Sequence, residues 1–338
     1  MLARIAVFAA ATLSVVSTLA CTSRDSPSHI PEGSAVGNGS TSGSAPTSTS
    51  TSGAMSSASG SGTSGGEPAP QESAMPVPYG TCASLINGQN TLNITGLPAR
   101  TVEVRYSAAN QTKNGPLVIL WHGDEQTPKA ALEELLGSTY IAKILDAGGM
   151  VAAPSHDPMA QNAVWFSSQG DFTNDDDFVV LDQLVACSRE QFGIDTRHIH
   201  LIGYQSGGFQ ATHAAVLRSG YVASVVVHSG GLAGAPLEQA INLAYPFMIL
   251  HGGKTLDVAA KAYGASSIAL AKLTAQGGGP FTTEHFTVLC DHASGATIAT
   301  DALPATYAFL MAHPFGNPGS PYAQGLPSAF PSFCQIAE

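Results

Sequence analysis

Thr196–Gln210 reads TRHIHLIGYQSGGFQ. A short apolar run, His198–Ile202, leads into Gly203-Tyr204-Gln205-Ser206-Gly207-Gly208, and a helix-like run follows. This is the frame of a nucleophile elbow, G-x-S-x-G, the sharp strand-to-helix turn that lifts a nucleophile above a sheet. The frame predicts a strand–turn–helix unit of an α/β protein. Gln205 stands at the nucleophile position. A carboxamide cannot attack a carbonyl as an alkoxide does, so the fold signal and the chemical signal separate at one residue.

Outward from the elbow, apolar runs alternate with helical patterns. Thr101–Tyr106 alternates as a strand should. Pro116–Trp121 (PLVILW) is nearly all apolar, as a strand covered on both faces would be, and it ends at His122-Gly123-Asp124. One helical pattern runs from Pro128 through Leu145, and Gly149–Ala153 is the next strand. Asn174 is placed to cap the helix that follows, with Asp175, Asp176 and Asp177 at its positive end. That helix turns Phe178, Leu181, Leu184 and Val185 inward and fades at Phe192-Gly193. Further strands are expected at Tyr221–Val227, Pro246–Leu250 and Glu284–Leu289, and further helices at Gly207–Ser219, Asp257–Leu273 and Ala302–Ala312. The alternation predicts a mostly parallel sheet with helices on both faces. Sites in such sheets form at the carboxyl ends of the strands, where the His-Gly, Gln-Ser-Gly-Gly, Ser-Gly-Gly and His-Gly-Gly corners fall.

Serine hydrolysis needs a hydroxyl, a histidine base, an acid that orients it, and backbone donors for an oxyanion. Asp257, in HGGKTLD, fits the acid. His122-Gly123-Asp124 and the N–H of Ser206 fit the donors. Ser206 is the alternative nucleophile, one residue late, which puts Tyr204 where close strand–helix contact normally needs glycine. His292, in CDHASGAT, is its alternative base. His156, His228 and His251 also follow expected strands. Trp121, Trp165 and Tyr204, with Phe166, Phe209 and Tyr322, adjoin the proposed loops and could stack on a ligand ring, although core packing explains such residues equally well. There is no CxxC pair and no zinc-ligand spacing, so no metal is expected.

The chain begins MLARIAVFAAATLSVVSTLAC, an apolar leader behind Arg4. Residues 1–20 read as an export signal. Thr18-Leu19-Ala20-Cys21 is similar to a bacterial lipoprotein box, with Thr18 where leucine is usual, and predicts lipid on Cys21. Up to Pro78 the chain is Ser, Thr, Gly, Ala and Pro, too poor in large apolar residues to offset backbone entropy, and reads as a flexible tether. Tyr79–Glu338 reads as one domain. The expected location is the cell envelope. Lys+Arg number 13 against 24 Asp+Glu, a net charge of -11, which makes nucleic acid a poor partner. Cys82, Cys187, Cys290 and Cys334 allow three complete pairings, among which the sequence does not choose.

With these residues in view, the domain resembles the secreted feruloyl esterase / polyhydroxybutyrate depolymerase-like branch of the α/β-hydrolases. The resemblance rests on PLVILWHG at 116–123, the stretch 175–215 around GYQSGG, RSGYVASVVVHSGG at 218–231, HGGKTLDV at 251–258, LCDHASGA at 289–296 and the tail 313–334. It implies an α/β-hydrolase fold and hydrolysis of carboxylic esters without a cofactor. It maps the family nucleophile onto Gln205, the acid onto Asp257 and the base onto Ala296, with His292 matching an earlier histidine of the base loop. Two of three reactive side chains are thus replaced. The leading expectation is a lipid-anchored, non-hydrolytic protein that binds an ester, carbohydrate or polymer fragment in the cleft. The alternatives are an ester hydrolase rewired through Ser206 and His292, and a structural surface protein with a filled pocket.

Overall fold

The computed structural model describes residues 72–160, 165–169, 174–232, 243–258, 261–281, 283–317 and 319–338. The expected export signal, Cys21 and nearly all of the expected tether lie outside the described residues.

Nine strands of the described residues form one sheet in the order β1-β2-β4-β3-β5-β6-β7-β8-β9. Six run parallel: β3 (Leu117–Trp121), β4 (Met150–Pro154), β5 (Ile199–Tyr204), β6 (Ser224–His228), β7 (Phe247–His251) and β8 (Thr287–Asp291). β1 (Gly88–Leu92), β2 (Arg100–Tyr106) and, at the far edge, β9 (Cys334–Ile336) pair antiparallel. β3 through β7 are buried at every position because helices cover both faces, which is why their sequences are apolar runs rather than alternations.

The helices are α1 (Pro128–Leu135), α2 (Gly137–Asp146), α3 (Asp176–Phe192), α4 (Ser206–Leu217), α5 (Tyr263–Gln276) and α6 (Leu303–Ala312). One core lies between the sheet and α3, α4 and α5, and is filled by Val104, Ile119, Phe178, Leu184, Leu201, Val227, Ile249 and Leu270. The other lies under α1, α2 and α6, with Leu120, Leu132, Ile144, Ile202, Met248, Phe309 and Leu310. Gly193, at φ 60, ends α3 as expected, whereas the N-cap is Asp175 rather than Asn174, which lies one residue earlier and accepts the Asp176 N–H at 3.0 Å.

The main differences from the sequence reading are one break and three displaced starts. The single helix expected over 128–145 breaks into α1 and α2 at Gly137, whose φ of +75 no continuing helix adopts. The helix expected from Asp257 starts at Tyr263, because Asp257 sits in a turn closed on the Gly253 carbonyl. The strand expected from Tyr221 starts at Ser224, since Tyr221 still closes a turn on Arg218. The strand expected from Glu284 starts at Thr287. The antiparallel strands β1 and β9 carry no signal of their own.

Disulfides join Cys82 to Cys187 and Cys290 to Cys334. The first pins the incoming chain to α3. Alongside it, Ala74 N–H bonds the Gly220 carbonyl at 2.7 Å, Tyr79 N–H bonds Gln183 Oε1 at 2.6 Å, and Leu85 N–H bonds Gln191 Oε1 at 2.9 Å.

Candidate functional site

Gln205 is the apex between β5 and α4, at φ 51 and ψ -118, a backbone state that side-chain-bearing residues rarely occupy. Its N–H bonds the His228 carbonyl at 2.9 Å, and its own carbonyl accepts from Gly208 and Phe209, so both strand and helix hold the strain in place. A Cβ on Gly203 would lie 2.1 Å from the Gly207 carbonyl oxygen, and one on Gly207 would lie 2.1 Å from that of Trp121. Both elbow glycines are therefore obligatory.

Ser206, the first residue of α4, is fully buried, and its Oγ has no hydrogen-bond partner. Its hydroxyl is closed off from solvent. Asp257 is also fully buried. Its Oδ2 accepts the Gly252 N–H at 3.1 Å, and its Oδ1 has no partner. Among the described residues no hydrogen bond joins His292 to Asp257. Burial lowers the His292 pKa, the Asp257 charge works against that shift, and His251 adds to it, so His292 lies in the field of both.

The loop after β8 is tied down by a residue of the elbow itself. Tyr204 Oη donates to the Ala296 carbonyl at 2.6 Å. Its ring stands against Gly123, where a Cβ would come within 2.5 Å of it. Burial, with help from Asp257, Glu134 and Asp124, pushes the Tyr204 phenol up to about 12, so it remains a neutral donor. Tyr204 is 8% exposed and offers little ring face to a ligand.

The turn after β3 is equally occupied. His122 is fully buried, and burial pushes its imidazole down to about 4, leaving a neutral ring. Its Nδ1 meets the Gly123 carbonyl at 2.9 Å, and its Nε2 accepts the His156 N–H at 3.2 Å. Gly123 N–H donates to Gln126 Oε1 at 2.8 Å. Asp124 Oδ2 accepts from Tyr263 Oη at 2.5 Å, which ties this turn to α5. Lys261 reaches across to the Ser168 carbonyl with its ammonium over the Phe209 ring.

Trp121 and Trp165 require a correction to the expectation that they contact a ligand. Both are fully buried and meet edge to face at 4.9 Å, and Trp165 Nε1 donates to the His122 carbonyl. They brace the β3 turn from inside. Tyr322 packs on His313 and Phe330, against the α6 side of the core. Gln126, Tyr263 and Lys261 are site contacts that the sequence reading did not find, since each depends on a loop-to-loop approach. Among the described residues no group of three or more His, Cys, Asp or Glu could hold a metal ion.

No protein-family model and no curated protein matches the sequence. Solved structures do. Native pOPH aligns with a TM-score of 0.59 at 18% identity, over 77% of this chain and 97% of its own. A pOPH variant in a complex of pNPB aligns at 0.60 and 17%, over 78% and 96%. Native sOPH aligns at 0.57 and 16%, over 78% and 97%. With the sheet order and the elbow already described, this decides the architecture. The fold is that of the α/β-hydrolases.

In this α/β-hydrolase frame the strain is not spread evenly. Of the described non-glycine residues with positive φ, Glu125, Gln205, Ser229 and Ala293 follow the carboxyl ends of β3, β5, β6 and β8, and Asn114 lies elsewhere. Six buried side-chain polar atoms without hydrogen bonds lie in this layer, Ser206 Oγ, both His228 ring nitrogens, Ser229 Oγ, Asp257 Oδ1 and Asp124 Oδ1, while others, such as Tyr245 Oη and Thr306 Oγ1, lie elsewhere among the described residues. Strained backbone and unsatisfied polar atoms persist together where a fold keeps a site organised.

Proposed function

We propose that this domain is a non-hydrolytic member of the α/β-hydrolase fold that binds a small ester, carbohydrate or polyester fragment in the cleft above Gln205. The observation that carries the reading is the apex: Gln205 holds the nucleophile's backbone position while Ser206, the hydroxyl next in sequence, is fully buried. An acyl-enzyme route needs a hydroxyl and a base at that apex. The motif residues named above support the feruloyl esterase / polyhydroxybutyrate depolymerase branch as the origin of the frame. That pOPH, a protein of this fold, was solved in a complex of pNPB supports a cleft able to take a small ligand. We also propose export and anchoring in the cell envelope through lipid on Cys21, with the tether to Pro78 carrying the domain. The leader sequence supports this, as do two disulfides, which persist in oxidising compartments.

A second reading, ester hydrolysis through Ser206 and His292, is supported by the unpartnered Ser206 Oγ and by the position of His292 in the field of Asp257. One assay separates the two. Release of p-nitrophenol from short-chain esters is measured for the native chain, Ser206→Ala and the double variant Gln205→Ser with Ala296→His. The first reading expects a silent native chain and turnover from the double variant. Native turnover abolished in Ser206→Ala, or a serine-reactive phosphonate bonded to the native domain, establishes the second.

A further inference from the structure

The backbone donor of the glycine turn after β3 already has an occupant. Gly123 N–H bonds Gln126 Oε1 at 2.8 Å, and at the other end of the same carboxamide Gln126 Nε2 bonds Glu134 Oε2 on α1 at 2.7 Å. A carboxamide oxygen is the same kind of acceptor as the carbonyl of an ester. A carboxylate bonded to the amide nitrogen polarises the group and strengthens that oxygen as an acceptor. Glu125, at φ 63, bends the chain so that Gln126 returns to Gly123, and Gln126 N–H closes on the Gly123 carbonyl at 3.3 Å. Gln126 is half-buried and Glu134 is exposed, so the carboxamide has open solvent to move into. The Tyr204 ring packs against the same glycine and does not share this freedom.

We propose that Gln126 is a built-in competitor at the glycine turn: its carboxamide oxygen holds the Gly123 N–H that a ligand carbonyl takes, and Glu134 sets how firmly it is held. The inference rests on the reading of the cleft as a site for carbonyl-bearing ligands. A ligand enters by exchange. Its carbonyl replaces the Gln126 oxygen, Gly123 keeps one hydrogen bond throughout, and Gln126 stays tethered to Glu134 or turns to water. Binding by exchange gains less than binding to an open donor, so Gln126 is a threshold that a ligand must exceed.

The test follows the Gly123 amide proton in the full chain labelled with ¹⁵N-glycine, using methyl butyrate as probe. In Gln126→Ala, exchange of that proton with solvent rises about threefold to tenfold, the range set by one net hydrogen bond. Methyl butyrate slows it again at concentrations that leave the native amide unchanged. Glu134→Ala, which leaves the turn's own residues intact, falls between the two and serves if Gln126→Ala folds poorly. The proposal is overturned if exchange is the same in all three chains, or if it rises in the variants and methyl butyrate gives no protection. If calorimetry shows methyl butyrate binding native and Gln126→Ala chains equally, the cleft reading stands and the competitor does not.

Discussion

The elbow and the loop after β8 are joined by the Tyr204–Ala296 hydrogen bond, and they are built differently. At the elbow the backbone is complete: the strained apex, the two close glycine contacts and the helix behind it are all present, and only a side chain differs. After β8 the loop carries strain at Ala293 and closes on the Gly252 carbonyl, but it is held by the Tyr204 phenol, which reaches the backbone of Ala296. In the first region the frame carries Gln205 at its apex. In the second a neighbouring side chain holds the backbone where the resemblance puts a base. Geometry and chemistry are therefore separable properties of this fold, the one held by glycines and buried strands, the other by a few side chains.

Restoring the reactive groups gives the largest expected effect. Gln205→Ser with Ala296→His should raise ester turnover about a thousandfold or more over either single change, because triad members act as a unit. If the single changes together account for the gain, the two regions are not one site.

The frame itself is tested by Gly207→Ala, whose methyl meets the Trp121 carbonyl at 2.1 Å. A backbone clash of this kind should cost about 3–5 kcal/mol in urea unfolding, among the largest effects of a single substitution. Gly319→Ala, which meets nothing within 4 Å, should change stability by less than about 0.5 kcal/mol. Equal costs would mean that the elbow contact is relieved by movement of β3.

Acidification should act more gently. Burial pushes His122, His285 and His313 down to about 4 and His228 to about 3, whereas the unfolded chain protonates them near 6.5. Below 6.5 the unfolded state therefore binds protons that the folded state refuses, and stability falls until the folded rings titrate near 4. Asp177, raised to about 6 by burial, takes up one proton in the folded state and opposes this trend. The net expectation is a loss of about 1 kcal/mol or more per pH unit between pH 6 and pH 4.5, read from urea midpoints. A flat profile would show that these rings are reached by water.

Tyr204→Phe is the mildest change at a site residue. Loss of the bond to the Ala296 carbonyl should cost about 1 kcal/mol and speed amide exchange in residues 292–297 while leaving the elbow amides unchanged. Faster exchange at both would mean that the phenol supports the elbow as well.

What the sequence disclosed depended on how local each signal is. β3, β5, β6 and β7 were legible because strands covered on both faces must be apolar. The elbow was legible because its glycines are demanded at fixed spacing. The break at Gly137 was not, since Leu135, Ile141 and Ile144 keep a helical period across it. β1 and β9 lie at the sheet's edges, are short and have little to bury. Trp121 and Trp165 adjoin loops in sequence, and only tertiary packing reveals that they face inward. The Tyr263–Asp124 contact joins residues 139 positions apart, a distance over which no local pattern speaks.

The bridge from Cys82 to Cys187 also makes the protein a mechanical object. Tension arriving along the N-terminal chain first meets the bonds of Ala74 and Tyr79, which can yield, and then a covalent link into α3, which cannot. Beyond that link the load passes through α3 toward the elbow and the C-terminus. The chain between the two cysteines, with β1 to β4 and the His122–Gln126 turn, lies off this covalent path and feels a pull only through the hydrogen bonds of the sheet.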